Sequence, residues 1–440
     1  MAIDSPKQPS KAKQIYWAVR RVMTQGQPAI EQWQSQTGDR ALPEDHFQTL
    51  VYYADGPVNL YQLRQWYEPL QALDAEAPVL IVCRSVTAAL ELLDECPLPV
   101  AYAGRVEDLE NLVERQRFSA ALYVNQNTRN FQLMRFNTML HVFISHGESD
   151  KSYMVSGQTK CYDYSFIAGE AAADRLAANL INYDVDAKTI RIGRPQLDVP
   201  SATTPPPLPQ DDRTVVFYAP TTEGDRPSMR YSSLVSHGVP MVKALLADSR
   251  YRLVFRPHAR TGLFSDDHAK ARDEINALIA AANLADPGAG HLADTTPTFD
   301  WQLDVCDVCI ADVSAVVIDW LTTGKPVVVT KPANPAAPVP SEGFIASIEL
   351  LKPKQASAIV EVLDRVTSDE TLAQQRQEWT RYYFGDTTPG AAMQAWLDAC
   401  RRIREECATS LQGHPALGDP DVGAVEHREV SPLEELDIES

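Results

Sequence analysis

Nine short apolar runs rich in β-branched residues recur along this chain, and helical patterns separate them. VLIVC (79–83), ALYV (121–124), MLHVFIS (139–145), SFIA (165–168) and TIRI (189–192) precede a proline-rich stretch, SATTPPPLPQDD (201–212). TVVFYA (214–219), RLVF (252–255), VCIA (308–311) and PVVV (326–329) follow it. Helical periodicity fills the intervals, for example over 86–94, 106–115 and 169–181. Strands alternating with helices pack as parallel sheets in α/β layers. The prolines at 205–207 and 209 form a semi-rigid spacer, so the pattern predicts two doubly wound α/β halves joined there. The expected division is a basic N-terminal segment over 1–40, an α/β unit over 41–200, the linker over 201–212 and a second α/β unit over 213–390. A helix over 391–411 follows, its long apolar pattern suited to packing back across the junction, and an acidic tail covers 412–440.

Charge narrows the classes of partner. Forty basic against 59 acidic residues leave a net charge of −19. Nucleic acid is thereby excluded as a bulk partner, since phosphate neutralisation needs a positive face. The first 21 residues depart from this trend, with Lys7, Lys11, Lys13, Arg20 and Arg21 against Asp4 alone. Ile15, Val19, Val22 and Met23 repeat there at helical spacing, a pattern suited either to an anionic membrane surface or to packing with a solvated basic face. Residues 412–440 hold eight acidic residues and few large apolar ones, the composition of a disordered tail. No apolar run exceeds about six residues, too few to span a bilayer, and the N-terminus lacks a signal-peptide core. Seven scattered cysteines suit free thiols in a cytoplasm, with the protein soluble there or peripheral on the inner membrane face. The single C-x-x-C, Cys306 and Cys309, lies inside an apolar run and reads as buried packing.

In parallel α/β units ligands bind beyond the carboxyl ends of the strands. Five such ends carry polar groups: His146-Gly147-Glu148-Ser149-Asp150-Lys151, Gly193 to Asp198, Pro220-Thr221-Thr222, Arg256-Pro257-His258 and Asp312-Val313-Ser314 with Asp319 beyond. One histidine comes from each half, each near cations (Lys151; Arg256 and Arg260) that suit an anionic ligand. Ser314 opens a helix and serves either as its cap or at an anion site. Asp312 and Asp319 lack a third ligand, so no metal site is expected, nor any cofactor.

Taken together these elements resemble the CDP-glycerol glycerophosphotransferase family, which builds teichoic-acid-type polyol phosphates. The resemblance is carried by His146, Gly147 and Lys151, then Tyr162-Asp163-Tyr164, then Gly193, Pro195 and Asp198. Tyr218 to Thr221, Arg256 to His258, and Asp307 through Asp312, Ser314 and Asp319 to Gly324-Lys325-Pro326 complete it, over about residues 138–395. It implies a GT-B fold, two Rossmann-like domains with parallel sheets facing a central cleft, the first carrying the acceptor and the second the nucleotide. It implies transfer of a polyol phosphate from a CDP-polyol donor to a hydroxyl of a glycan or polyol-phosphate acceptor, with release of CMP. His146 becomes the candidate base, and His258 with Arg256 the groups that stabilise the leaving phosphate. Thr221, Asp312, Ser314 and Ala315 become nucleotide or phosphate contacts, and Asp319 a polyol contact or a histidine orienter. Gly147, Glu148, Asp150 and Lys151 fall on the acceptor side.

The chain departs from the family pattern at Gln196, where Arg is usual, and at Val313 and Ala315, where Tyr and Ser are usual. It also departs at Glu148-Ser149-Asp150, a loop normally apolar or small. Two carboxylates beside the base would repel a polyanionic acceptor, which favours a neutral or cationic one; alternatively they cap the following helix. A glycosyltransferase using a nucleotide sugar and a non-catalytic nucleotide-binding partner in glycan assembly are the other readings of the same residues.

Overall fold

A computed structural model describes residues 27–38, 42–148, 155–198, 204–296 and 299–414. The basic segment of the first 24 residues, the loop residues Asp150 and Lys151, and the acidic tail from 415 lie outside the described residues.

Two parallel sheets organise the chain. The first takes β1 (Thr49–Tyr53), β2 (Val79–Cys83), β3 (Val100–Tyr102), β4 (Ala120–Tyr123), β5 (Leu140–Phe143), β6 (Tyr164–Ile167) and β7 (Thr189–Arg191), in the order β3-β2-β1-β4-β5-β6-β7. The second takes β8 (Thr214–Ala219), β9 (Tyr251–Phe255), β10 (Leu292–Ala293), β11 (Val308–Ala311) and β12 (Val327–Val329), in the order β10-β9-β8-β11-β12. All nine predicted runs are strands. β1, β3 and β10 are additional, and the last two are only three and two residues long, too short for a periodicity to register.

The central strands are buried on both faces, as helix-covered parallel sheets require, while the edge strands β3, β7 and β10 are partly exposed. Along β1, Val51 and Tyr53 join a core with Trp66, Leu70 and Ile81, while Leu50 and Tyr52 face an opposite core with Phe47 and Leu109. That two-residue alternation is the strand period expressed as packing. Cys306, just before β11, and Cys309, within it, are fully buried free thiols, and burial pushes both thiols far up from their ordinary range.

The proline-rich stretch is held against the second sheet rather than spanning open solvent. Arg252, buried in β9, donates to Pro209 O (2.8 Å) and Ala289 O (2.7 Å) and pairs with Asp211 (2.7 Å). The guanidinium thus satisfies its donors by fixing the incoming chain.

The last described helix returns to the first sheet. Helix Ala391–Gly413 buries Trp396 against Trp66, with ring centroids 5.0 Å apart, and the Trp396 indole donates to Pro69 O at 3.0 Å. The preceding crossing passes so close to β6 and β7 that two glycines are required. A Cβ at Gly169 would lie 2.6 Å from Tyr383 O, and one at Gly193 (φ +65°) 2.9 Å from Ala392 Cβ. Gly193 supplies both the left-handed turn and the space.

Candidate active site

The carboxyl ends of β1, β4, β5 and β7 face those of β8, β9 and β11 across a cleft of about 610 Å³. That volume suits a nucleotide-sized ligand. His146, Thr221, Arg256, His258, Ser314, Ala315 and Asp319 all line it. The strand-end rule therefore gathers residues up to 173 positions apart in sequence into one cavity.

His146 follows β5 through a strained turn. Ser145 has φ +56°, an uncommon conformation for a side-chain-bearing residue, and is held there by the Trp66 indole donating to its carbonyl at 2.7 Å. His146 Nδ1 lies 3.3 Å from Val124 O. A carbonyl only accepts, so Nδ1 carries the proton and the neutral ring has its lone pair on Nε2. His258 is arranged the opposite way. The backbone N–H of Arg260 donates to His258 Nδ1 at 3.0 Å, which places the proton of the neutral ring on Nε2. One histidine thus presents an acceptor nitrogen and the other a donor.

Tyr61 joins them. Its ring meets His146 edge-on at 6.3 Å and His258 at 5.7 Å between centroids, although the two histidines belong to different sheets. Gln62 Nε2 reaches the Tyr61 hydroxyl at 3.3 Å and is in turn fixed through Asn125 and Asp55. Burial raises the Tyr61 hydroxyl above its ordinary range, which keeps it protonated.

The second sheet brings an ion-paired arginine to the cleft. Arg256 NH1 is anchored by Asp294 Oδ2 (3.1 Å) and Thr296 O (2.7 Å) beside the cleft wall. Ser314 is 6% exposed, and its Oγ is buried with no hydrogen-bond partner. Such an orphan hydroxyl costs about 1–3 kcal/mol, which a ligand group would recover. The helix it opens, Ala315–Trp320, has only six residues, so the hydroxyl and not a helix dipole is the feature that matters.

Three residues take places other than those expected. Asp312 is fully buried and does not line the cleft; it accepts from Thr221 N (2.7 Å), Ser233 N (3.1 Å) and Thr330 Oγ1 (2.5 Å). Burial raises its carboxyl against these stabilising hydrogen bonds, and its work is to position the Thr221 loop. Asp319 neither meets a histidine nor offers open carboxylate oxygens. It forms a two-pronged pair with Arg194, Nε to Oδ1 and NH2 to Oδ2 both at 3.0 Å, with side chains 8% and 7% exposed. That pair ties the β7 loop to the second sheet at the cleft floor. Glu148 is 5% exposed and paired with Arg175, so its charge is not open to an acceptor as the sequence suggested. Gly147 faces Ala315 across the junction, a Cβ there lying 3.5 Å from that of Ala315.

Among the described residues no group of three or more His, Cys, Asp or Glu side chains is placed to hold a metal ion, and no helix is long and apolar enough to cross a membrane.

No protein-family model and no curated protein matches the sequence. Solved structures do match its fold. The wall teichoic acid polymerase TagF superposes over 92% of this chain and 100% of its own, with a TM-score of 0.52 and 15% identity. A TagF variant soaked with CDPG gives the same coverage and TM-score at 16% identity. UDP-GlcNAc 2-epimerase from Neisseria meningitidis covers 82% of this chain and 100% of its own, at a TM-score of 0.50 and 11% identity. The fold is GT-B.

In this GT-B frame, sequence reasoning missed Tyr61 and Arg194 as parts of the site, and named Gln196 only as a departure from the family motif. Tyr61 sits on a four-residue helix, Tyr61–Arg64, well before any motif. Arg194 was within reach, lying between Gly193 and Pro195 in a quoted strand end, but its partner Asp319 is 125 residues away. Both polar atoms of the Gln196 side chain are buried without a partner.

Proposed function

We propose that the protein transfers a polyol-phosphate unit from a CDP-alcohol to an acceptor hydroxyl, releasing CMP. The observation that carries this reading is a pair of histidines, one from each half, whose Nδ1 atoms meet a backbone carbonyl and a backbone N–H respectively, brought to a single aromatic ring in one cleft. His146 Nε2 takes the acceptor hydroxyl proton as the oxygen attacks the polyol-bearing phosphorus. The bond from that phosphorus to the bridging oxygen breaks, and the electron pair leaves with CMP. His258 Nε2–H and Arg256 stabilise the charge that develops on the departing phosphate, and Ser314 Oγ donates to a phosphate oxygen. Thr221 borders the nucleotide, and Ala315 closes against Gly147 beneath it. Residues of the first sheet carry the acceptor, and those of the second the nucleotide. Likeness in fold to TagF, a wall teichoic acid polymerase of which one variant was soaked with CDPG, supports the donor class.

The test is a panel of CDP-glycerol, CDP-ribitol and nucleotide sugars incubated with the full-length protein, with mass spectrometry of the released nucleotide. CMP from a CDP-alcohol is the expected result. A nucleoside diphosphate released from a nucleotide sugar would assign a glycosyltransferase instead, and no turnover of any donor would leave a nucleotide-binding partner.

A further inference from the structure

A second cavity of about 460 Å³ lies where the 384–392 crossing passes between the sheets. It shares Arg194, Gln196, Leu197 and Asp300 with the main cleft, so the two spaces adjoin along these four residues. Asp198, Asp300, Asp304 and Asp386 line it. Against them stands Lys325, whose ammonium is held by the carbonyls of Leu303, Asp304 and Cys306 at 2.7–2.8 Å. Arg194 is neutralised by Asp319. A passage of this sign disfavours a polyanion.

Gln196 narrows the chemistry further. Its Oε1 needs a donor and its Nε2 an acceptor, and neither has one. A phosphate offers acceptors only and would leave Oε1 unpartnered; an ammonium offers donors only and would leave Nε2 so. A hydroxyl supplies both functions, and since sugars and polyol phosphates both carry hydroxyls, the choice between them rests on the sign of the passage. We infer that this cavity is the acceptor subsite, that it takes a neutral, hydroxyl-rich glycan chain, and that Gln196 recognises one of its hydroxyls beside the reacting centre. The inference rests on the transferase reading above and names its acceptor. It also replaces Glu148 as the reason for excluding a polyanion.

The test uses full-length protein and two kinds of probe, neutral trisaccharides (maltotriose and chitotriose) and a glycerol-phosphate oligomer, with binding followed by calorimetry. At least one trisaccharide should bind saturably and more tightly than the oligomer. Gln196→Leu should weaken that binding by about ten-fold or more, with a melting temperature equal to or above wild type, because it removes an unpartnered buried amide. Asp304→Lys/Asp386→Lys should improve binding of the glycerol-phosphate oligomer. The inference is overturned if no trisaccharide binds, if the oligomer binds wild type more tightly than the sugars, or if Gln196→Leu binds like wild type. Weaker binding accompanied by a lowered melting temperature also counts against it, as the mark of a structural role. CMP release from CDP-glycerol, measured on the same samples, reports on the donor reaction separately: CMP without sugar binding overturns the acceptor assignment alone.

Discussion

Replacing either His146 or His258 with alanine is expected to lower CMP release from CDP-glycerol by about 10²-fold or more, the usual scale for removal of a general base or a charge-stabilising donor. Both rings are only partly buried at strand ends, so both variants should retain the wild-type circular dichroism and melting transition. The opposite tautomers predict a further asymmetry. A glutamine amide can present an N–H near the position of a histidine Nε2–H, so His258→Gln should recover part of what His258→Ala loses. His146→Gln should recover nothing, since an amide is no base at neutral pH. Near wild-type turnover of His146→Ala or His258→Ala would remove that residue from the mechanism, and rescue by His146→Gln would exchange the two roles.

The largest effect on stability is expected at Asp319. Its removal leaves the Arg194 guanidinium buried at the junction without its carboxylate, and breaking such a pair costs about 3–5 kcal/mol. Asp319→Ala should therefore lower the urea midpoint sharply. The double variant Arg194→Met/Asp319→Leu, which removes both charges and keeps the volume, should regain most of the loss. A cost below about 1 kcal/mol for Asp319→Ala would mean that water already screens the pair, as at a surface.

Much of this architecture was legible in the residues. Fully buried parallel strands read as continuous apolar runs, and the two histidines stand immediately beyond such runs, where the strand-end rule puts ligands. What stayed hidden was contact between distant segments. Nothing near Glu148 announces Arg175, 27 residues on, and without that partner the carboxylate reads as free charge facing an acceptor. Asp312 misleads for a similar reason. Its place before Ser314 suggests a ligand contact, whereas three donors from three separate loops enclose it. Tyr61 lies in a region with no recognisable motif, and its importance comes only from the approach of the two halves. Local pattern thus sets the strands and their ends, while the roles of charged side chains at the cleft depend on tertiary partners.

The central claim is that two histidines from separate sheets serve one nucleotide, one as base and one as proton donor. Nitrogen-15 NMR of histidine-labelled full-length protein during a CDP titration tests it most directly, with the two rings assigned by the alanine variants. The account predicts neutral His146 protonated on Nδ1 and neutral His258 protonated on Nε2, with both sets of ring resonances moving along one saturation curve. Reversed tautomers, or CDP saturation that moves neither ring, would contradict it.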